Sequence, residues 1–344
     1  MIHIYNINQA KIWDNIVKSF AHYDVYYLSG YVKAFQIHGD GEPQLLYYET
    51  NVLKAIYVYM KRETAIEGYY DSISPYGYGG VLFEGDTCEK NLRVFLRAFV
   101  KKMQEERIVD NFVRYHPVRA NAILMKRIST VIDLGRTVAI DLASPEVIWE
   151  GLSSTNRNMI RKAIKNNVKV LHGKGLPLLN DFKRIYDTTM EKDKADKYYF
   201  FGEDFYKSIH DDLYDNYEVF YAVMNDKIIA MSIMLFASDQ LHYHLSGSVG
   251  DYRYVAPTNL LLYKAALWGH EHGLRTFHLG GGMGSKEDSL YKFKAAFNRY
   301  SNFQFSIGKE IFDQDKYNEL IRIRKESDSD FDETSQFFPL YRAK

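Results

Sequence analysis

Twice along its 344 residues the chain runs through one order of elements: a pair of alternating strands, then a loop or further strand, then an amphipathic helix and a strand. In the first half "QLLYYETN" and "VLKAIYVYMKRE" form the pair, with Ile56, Val58 and Met60 alternating, and the Gly- and Tyr-rich loop "SPYGYGG" follows from Ser74 to Gly80. "EKNLRVFLRAFVKKMQEER" then sets Leu92, Phe95, Leu96, Phe99, Val100 and Met103 at helical spacing, before a strand, "NFVRYHPV", stopped by Pro117. In the second half "YEVFYAVMND" and "KIIAMSIMLFASD" pair around Asn225 and Asp226, and "LHYHLSGS" is a further strand. "APTNLLLYKAALWGHEHG" is a helix with Pro257 near its start and Gly273 at its end, and "TFHLGGG" is the next strand. Helices interleaved with strands in this way predict an α/β fold with mixed sheets, built from two packed copies of one unit. The division expected is residues 1–150 and 151–344, the second with a C-terminal helix and a tail whose "FFPLYR" anchors the end to the body.

Charge bounds what such a chain binds. Lys plus Arg and Asp plus Glu are both 44, so the molecule as a whole has no field to attract DNA, and any polyanion must be met by a local patch. The single cysteine, Cys88, excludes an internal disulfide framework, fits a reducing compartment and reads as a buried or incidental thiol. The N-terminus, MIHIYNINQAKIWDNIVKSF, lacks a basic stretch followed by an apolar one, and nowhere do ~18 apolar residues run together, so the expectation is a cytoplasmic protein without a membrane span. The 29 Tyr and 21 Phe favour clefts for sugars, bases or peptides, because tyrosine joins an apolar ring to a polar tip.

The densest chemistry lies in "TFHLGGGMGSKEDSLYKFKAAF", Thr276 to Phe297. A nucleoside-triphosphate loop needs Lys directly after its last glycine, whereas here Ser285 separates Gly284 from Lys286. If "LHYHLSGS", the helix after Pro257 and "TFHLGGG" form a crossover, the two strands are parallel and their C-terminal ends share one edge of the sheet. The loop at Ser246 to Ser248 then faces the loop at Gly280, Gly281 and Gly282, at the kind of edge where open α/β sheets bind ligands. Ser285 and Asp288 have capping-box spacing and open the next helix. On that helix Leu290, Phe293 and Phe297 make an apolar edge, while Glu287, Tyr291 and Lys294 fall on another that looks into the crevice. His242, His244, His270, His272 and His278 lack a metal-binding spacing and read as ordinary hydrogen-bonded histidines.

Between the halves, "SSTNRNMIRKAIKNNVKVLHGKG" has capping residues at Ser153 to Thr155, an apolar stripe, and Arg157, Arg161 and Lys165 along another face. An arginine in the first turn opposes the helix dipole by roughly 0.3 to 1 kcal/mol, which hints at a nearby anion. A solvated face is the competing reading of the same stripe.

The stretches "SPYGYGG", "NRNMIRKAIKNNVKV", "YHLSGS", "PTNLLLYKAALWGHEHG", "FHLGGG" and "LYKFKAAF", in this order, resemble the GNAT acyltransferases, and among them the tandem proteins similar to the Fem peptidoglycan bridge-forming aminoacyltransferases. The resemblance implies two GNAT units with one cleft used for acyl transfer to an amine. It implies no tightly bound cofactor, a donor that is either aminoacyl-tRNA or acetyl-CoA, and an acceptor that is a nucleotide- or lipid-linked cell-envelope precursor, such as a peptidoglycan peptide or an amino sugar. Phe293 and Lys294 match the family's "FK", whose Lys stabilises charge during transfer. Tyr291 lies on the helix that in acetyl-CoA enzymes provides an acid for the leaving thiolate.

The sequence also departs from the pattern. The pyrophosphate signature before the crossover helix is faint in "DYRYVAPTN", where Arg253 is present but Ala256 replaces a glycine, and the long helical hairpin of some Fem proteins is absent. The mechanism expected is direct amine attack on the acyl carbonyl, with the oxyanion held by backbone amides near Ser246 or by Lys294, and Asp288 or Glu287 as a weaker candidate for proton acceptor. Arg157, Arg161 and Arg253 would hold phosphates, while Tyr243, Gly280, Gly281, Tyr76 and Tyr78 complete the expected substrate contacts. A non-catalytic GNAT scaffold that binds a nucleotide-sugar, peptide or RNA is the alternative.

Overall fold

The computed structural model describes residues 1–343 and divides by contacts into two compact units, one of Met1–Ala21, Tyr26–Leu134 and the C-terminal residues from Phe305, the other of His22–Val25 and Gly135–Gln304. In chain order the first unit contains β1 (Ile2–Asn6), α1 (Ala10–Lys18), α2 (Ser29–His38), β2 (Glu42–Glu49), β3 (Leu53–Glu63), β4 (Tyr70–Ile73), β5 (Leu82–Gly85), α3 (Glu89–Glu105), β6 (Ile108–Arg114) and α4 (Ala122–Met125). Strand β7 (Val131–Asp141) leads into the second unit. There follow α5 (Pro145–Gly151), α6 (Ser154–Lys165), β8 (Lys169–Gly173), α7 (Leu176–Lys192), α8 (Glu203–Asp212), β9 (Tyr217–Met224), β10 (Lys227–Ala237), β11 (Gln240–Ser248), α9 (Pro257–Glu271), β12 (Thr276–Gly280) and α10 (Ser289–Ala295). Strand β13 (Phe303–Ile311) leads back to the first unit, which α11 (Gln314–Ser327) completes.

Both units use one wiring. In the first the strand order is β1-β2-β3-β4-β6-β13, with β5 on the other half of β3. Strands β4 and β6 run parallel, α3 is the helix between them in the chain, and β13 lies antiparallel to β6. In the second unit the order is β7-β12-β11-β10-β9-β8, where β11 and β12 are parallel, α9 is the crossover and β7 is antiparallel to β12. The expected doubling of an α/β unit with mixed sheets is therefore present.

The contacts divide the chain differently from the expected boundary at residue 150. Residues 135–150 belong with the second unit because Val138 to Asp141 pair with Thr276 to Gly280. The C-terminal helix and tail belong with the first unit, because Ile307–Ile311 pair with Asp110–Arg114 and Tyr317, Leu320 and Tyr341 pack on Val109. "FFPLYR" does anchor the chain end, but to the first unit.

Each unit has its own core. Phe95, Phe99, Leu92 and Met103 of α3 pack on Tyr57, Tyr59 and Tyr115 in the first. In the second, Leu260, Leu261, Ala265 and Trp268 of α9 pack on Phe220, Leu241, Phe277 and Ile160. Burial at roughly 25 cal/mol per Å² of apolar surface makes these faces the main source of stability. Gly269 lets α9 lie close to the sheet, since a Cβ there would stand 2.9 Å from a Leu142 methyl carbon. Cys88 is exposed at the start of α3, an incidental thiol.

Candidate functional site

Beyond the end of β12 the chain turns on three glycines. Gly280 takes a left-handed φ of 79°, which costs a side chain-bearing residue energy. At Gly282 an added Cβ would stand 2.1 Å from the Lys286 carbonyl oxygen and 2.4 Å from Asp288 Oδ1, so no other residue fits this turn. Asp288 locks it. Its carboxylate accepts the Tyr291 N–H at 2.8 Å as the cap of α10 and the Met283 N–H at 3.1 Å. These backbone donors, Tyr291 first, hold the carboxyl below its ordinary value, so Asp288 is a loop-locking residue and a poor proton acceptor. The expected capping box from Ser285 is not formed: Ser285 precedes the helix at φ 62°, and its carbonyl oxygen lies where a Cβ on Gly135 would come within 2.0 Å. Glu287 is exposed ahead of the helix.

Helix α10 then carries Lys294 inward. The side chain is 9% exposed, and Nζ donates to the Gly281 carbonyl at 2.7 Å. Burial pushes the ammonium down to about 8, with the Asp288 carboxylate pulling partly the other way. Tyr291 and Phe293 are half-buried against the core of the second unit, and Phe293 meets Phe297 edge-on at 5.4 Å. Gly280, Gly281, Asp288, Tyr291, Phe293 and Lys294 are thus one loop-and-helix assembly.

Two side-chain amides that sequence reading did not single out, the buried Asn156 and the half-buried Asn259, fix this assembly. The last turn of α10 presents the Ala296 carbonyl, which accepts the Ser153 N–H at 2.9 Å and the Asn156 side-chain amide at 3.2 Å. Asn259 at the start of α9 donates to Asn156 Oδ1 at 2.8 Å. Both asparagines stand in a helix's first turn, where a side-chain amide reaches back beyond the helix end; that position was the available signal.

The basic stripe of α6 does different work from that expected. Arg157 Nη1 donates to the Leu152 carbonyl at 3.1 Å and reaches the Trp149 carbonyl at 3.4 Å, at the end of α5. What the first turn of α6 meets is therefore carbonyl oxygen, from α5 through Arg157 and from Ala296 through Ser153 and Asn156, which accounts for the dipole conflict without a bound anion. Arg161 lies 5.3 Å over the Trp149 ring and donates to Asn158. Arg253 is exposed on the short helical turn before α9. Ala256 adopts φ 53°, the left-handed conformation for which a glycine was expected, and its N–H is spent on the Arg253 carbonyl. Pro257, next in the chain, has no N–H, so neither of these two residues has a backbone donor to spare.

On the facing strand, β11 pairs with β12 only from Gln240 to His242 and then continues beside β10 to Ser248. The parallel pair opens past His242 and His278, and the two loops expected to share an edge do so. A β-bulge falls at His244, where the β10 register passes from Tyr243 to Leu245, and it re-aims the residues beyond it. Ser246 Oγ lies 2.9 Å from Ser232 Oγ, and the Tyr243 hydroxyl hydrogen-bonds with both serines. The Ser248 N–H goes to Thr189 Oγ1 at 3.1 Å. His242 Nε2 lies 2.9 Å from Asp24 Oδ2, His270 Nδ1 2.8 Å from the Leu142 carbonyl, and His272 Nδ1 2.8 Å from the Trp268 carbonyl.

Tyr76 and Tyr78 belong to the first unit. Tyr76 stacks on Phe35 at 5.3 Å, and Tyr78 is ringed by Tyr26, His116 and Phe305, with burial raising its hydroxyl's pKa. The second unit also has a cleft of about 660 Å³ lined by Ile140, Asp141, Glu150, Arg275 and Tyr300, at the opposite end of β12 from Lys294. The chemically equipped site and this cleft do not coincide.

Residues 155–294 match the family model of the GNAT acetyltransferase domain, so the loop, α10 through Lys294, α6 and the β11–α9–β12 crossover all fall within it. That match covers less than half of the chain, and over the rest the likeness is to solved structures of the same fold. Among solved structures it is similar to FemX, with 14% identity and a TM-score of 0.69, covering 92% of this chain and 99% of that one. It is also similar to the C-terminal domain of a candidate lysylphosphatidylglycerol synthetase from Agrobacterium fabrum, with 14% identity, a TM-score of 0.56, and coverage of 88% of this chain and 91% of that one. A Bacteroides thetaiotaomicron protein of unknown function is similar at 11% identity and a TM-score of 0.60, over 90% of this chain and 99% of that one. At these identities the likeness is one of fold. No curated protein matches the sequence. Among the described residues no helix is long and apolar enough to cross a membrane.

Proposed function

We propose that the chain is an N-acyltransferase that moves an acyl group from an activated donor to the amine of a cell-envelope precursor, at the crevice between the ends of β11 and β12. The observation that carries this reading is Lys294, a buried ammonium held at the mouth of a glycine loop by the Gly281 carbonyl at 2.7 Å. In the reaction the acceptor nitrogen bonds to the acyl carbon, the carbonyl oxygen becomes an oxyanion, and collapse breaks the bond to the donor's oxygen or sulfur, while the amine's proton passes to the Tyr291 hydroxyl as that hydroxyl gives its own to the leaving group. Lys294 keeps two further N–H donors for that oxyanion, in surroundings of low polarity where such a donor acts strongly. Tyr291 is the acid for the leaving group in this scheme, and Asp288, tied to two backbone amides, organises the loop. The donor we favour is an aminoacyl ester carried by tRNA. The turn before α9 spends the Ala256 N–H internally and is followed by Pro257, which withdraws two backbone donors from the pyrophosphate of acetyl-CoA, and the fold is shared with FemX.

The same turn supports a second reading, a scaffold that binds a nucleotide-sugar, peptide or RNA without turnover. Radiolabelled aminoacyl-tRNA and acetyl-CoA, each incubated with amine acceptors of the peptidoglycan-peptide and amino-sugar classes, separate the possibilities. Transfer from aminoacyl-tRNA that is lost in Lys294→Met is the expected result. Transfer from acetyl-CoA alone would change the donor, and saturable binding with no transfer would favour the scaffold.

A further inference from the structure

The first unit buries a charged cluster that acyl transfer does not use. Where β4 and β6 run parallel, Tyr70 pairs with Ile108 but Ser72 with Asn111, so β6 carries an extra residue. This bulge brings Asp110 beside Asp71, and both are fully buried. Asp71 is well supplied with charge: Arg62 Nε donates to its Oδ1 at 2.6 Å and Arg342 Nε donates to its Oδ2. Asp110 has no arginine on it, and its Oδ1 has no hydrogen-bond partner among the described residues. Between them stands the Tyr341 hydroxyl, 2.7 Å from Asp110 Oδ2 and 3.0 Å from Asp71 Oδ2. A phenol has one proton to donate, so two short contacts to carboxyl oxygens need a second proton, and Asp110 is the carboxyl without a compensating cation.

Tyr341 and Arg342 arrive on the chain's last described turn. Leu340 N–H donates to Tyr317 Oη at 3.0 Å, Arg342 Nη2 donates to the Glu63 carbonyl at 2.6 Å, and Phe338 stacks on Tyr317. We propose that residues 338–342 are a proton-dependent latch, held across the Asp71–Asp110 pair while Asp110 carries a proton and loosened when Asp110 ionises. The groups facing Asp110 are Arg62 from β3, Asp71 from β4, Tyr317 from α11, and Tyr341 and Arg342 from the tail; Glu310 on β13 reaches the neighbouring Asn111. Burial pushes the Asp110 carboxyl up to about 7, Asp71 adds to this, and Tyr341 and the two arginines oppose it. Lifting the tail admits water, which lowers that value, so the latched form binds the proton more tightly. The latch therefore holds fully at pH values below the ordinary carboxyl pKa, and the hold is lost as pH rises through about 7.

Amide hydrogen exchange of Leu340, Arg342 and Ala343, corrected for the intrinsic pH dependence of exchange, reads this directly in the intact chain between pH 5.5 and 8.5. The opening constant should rise by up to tenfold per pH unit from pH 5.5 to about 7 in the wild type, as opening releases one proton, and level off above about 7. It should be flat in Asp110→Asn and raised at pH 6 in Tyr341→Phe. A flat wild-type profile, or an Asp110→Asn profile that follows the wild type, overturns the latch. Should Asp110→Asn fail to fold, a carbon-13 carboxyl titration of the wild type decides: Asp110 titrating near its ordinary value overturns the proposal, and titration near 7 supports it. Neither readout depends on acyl transfer.

Discussion

Lys294 is asked to be cationic in a place that disfavours charge, and this conflict makes opposite predictions for rate and stability. Its value of about 8 lies below that of a free lysine, so the folded form holds this proton less tightly than the unfolded chain. Between about 8 and the ordinary lysine value the unfolded chain binds more protons, and this group's contribution to stability rises with pH through that window. Turnover should do the reverse, falling about tenfold per pH unit above 8 if the ammonium stabilises the oxyanion. A pH–rate profile and denaturant melts on the same samples test both signs. Lys294→Met should lower turnover by about 10²- to 10³-fold, as loss of an oxyanion donor does elsewhere, while the melting temperature holds or rises. Full activity in that variant would return Lys294 to a packing role.

At the scale of elements, the loop from Gly280 to Asp288 works as a preformed mount. Gly282→Ala places a Cβ against the Lys286 carbonyl and Asp288 Oδ1, so the Asp288 cap must give. The expected cost is about 1 kcal/mol of stability with a far larger loss of turnover, because Gly281 and Lys294 shift with the loop. Equal losses in both, measured by thermal melt and transfer assay, would make the loop structural only. The crossover β11–α9–β12 was legible because its strands are apolar, its helix is capped by Pro257 and Gly273, and the whole unit is local in sequence. Strands β7 and β13 were not. The first half of β7, VIDLG, is largely exposed, and the partners of both strands lie far away in the chain, which no local periodicity reports. Arg157 shows the same limit for the site: its place in the first turn was readable, but the carbonyls of α5 that receive it depend on how α5 and α6 meet.

At the scale of the whole molecule, the doubled order of elements carried the fold, and the resemblance pointed to the region that matches the GNAT domain. Unit boundaries were lost for a topological reason, since the first unit is assembled from segments at both ends of the sequence. Truncation after Gln304 should accordingly leave the second unit's β11–α9–β12 protected from exchange while β6, stripped of β13, loses protection. Retained protection of Ile108–Arg114 in that fragment would count against the assignment of the C-terminal residues to the first unit.

That interrupted first unit also imposes an order of birth. On the ribosome the strands β1 to β6 emerge before any residue of the second unit's sheet, yet β13, α11 and the Tyr341–Arg342 turn that complete their sheet and cover Asp71 and Asp110 are made after it. The unit begun first is finished second, and through most of synthesis its sheet edge at β6 and its buried acid pair stand open to whatever chaperone or neighbouring chain is at hand.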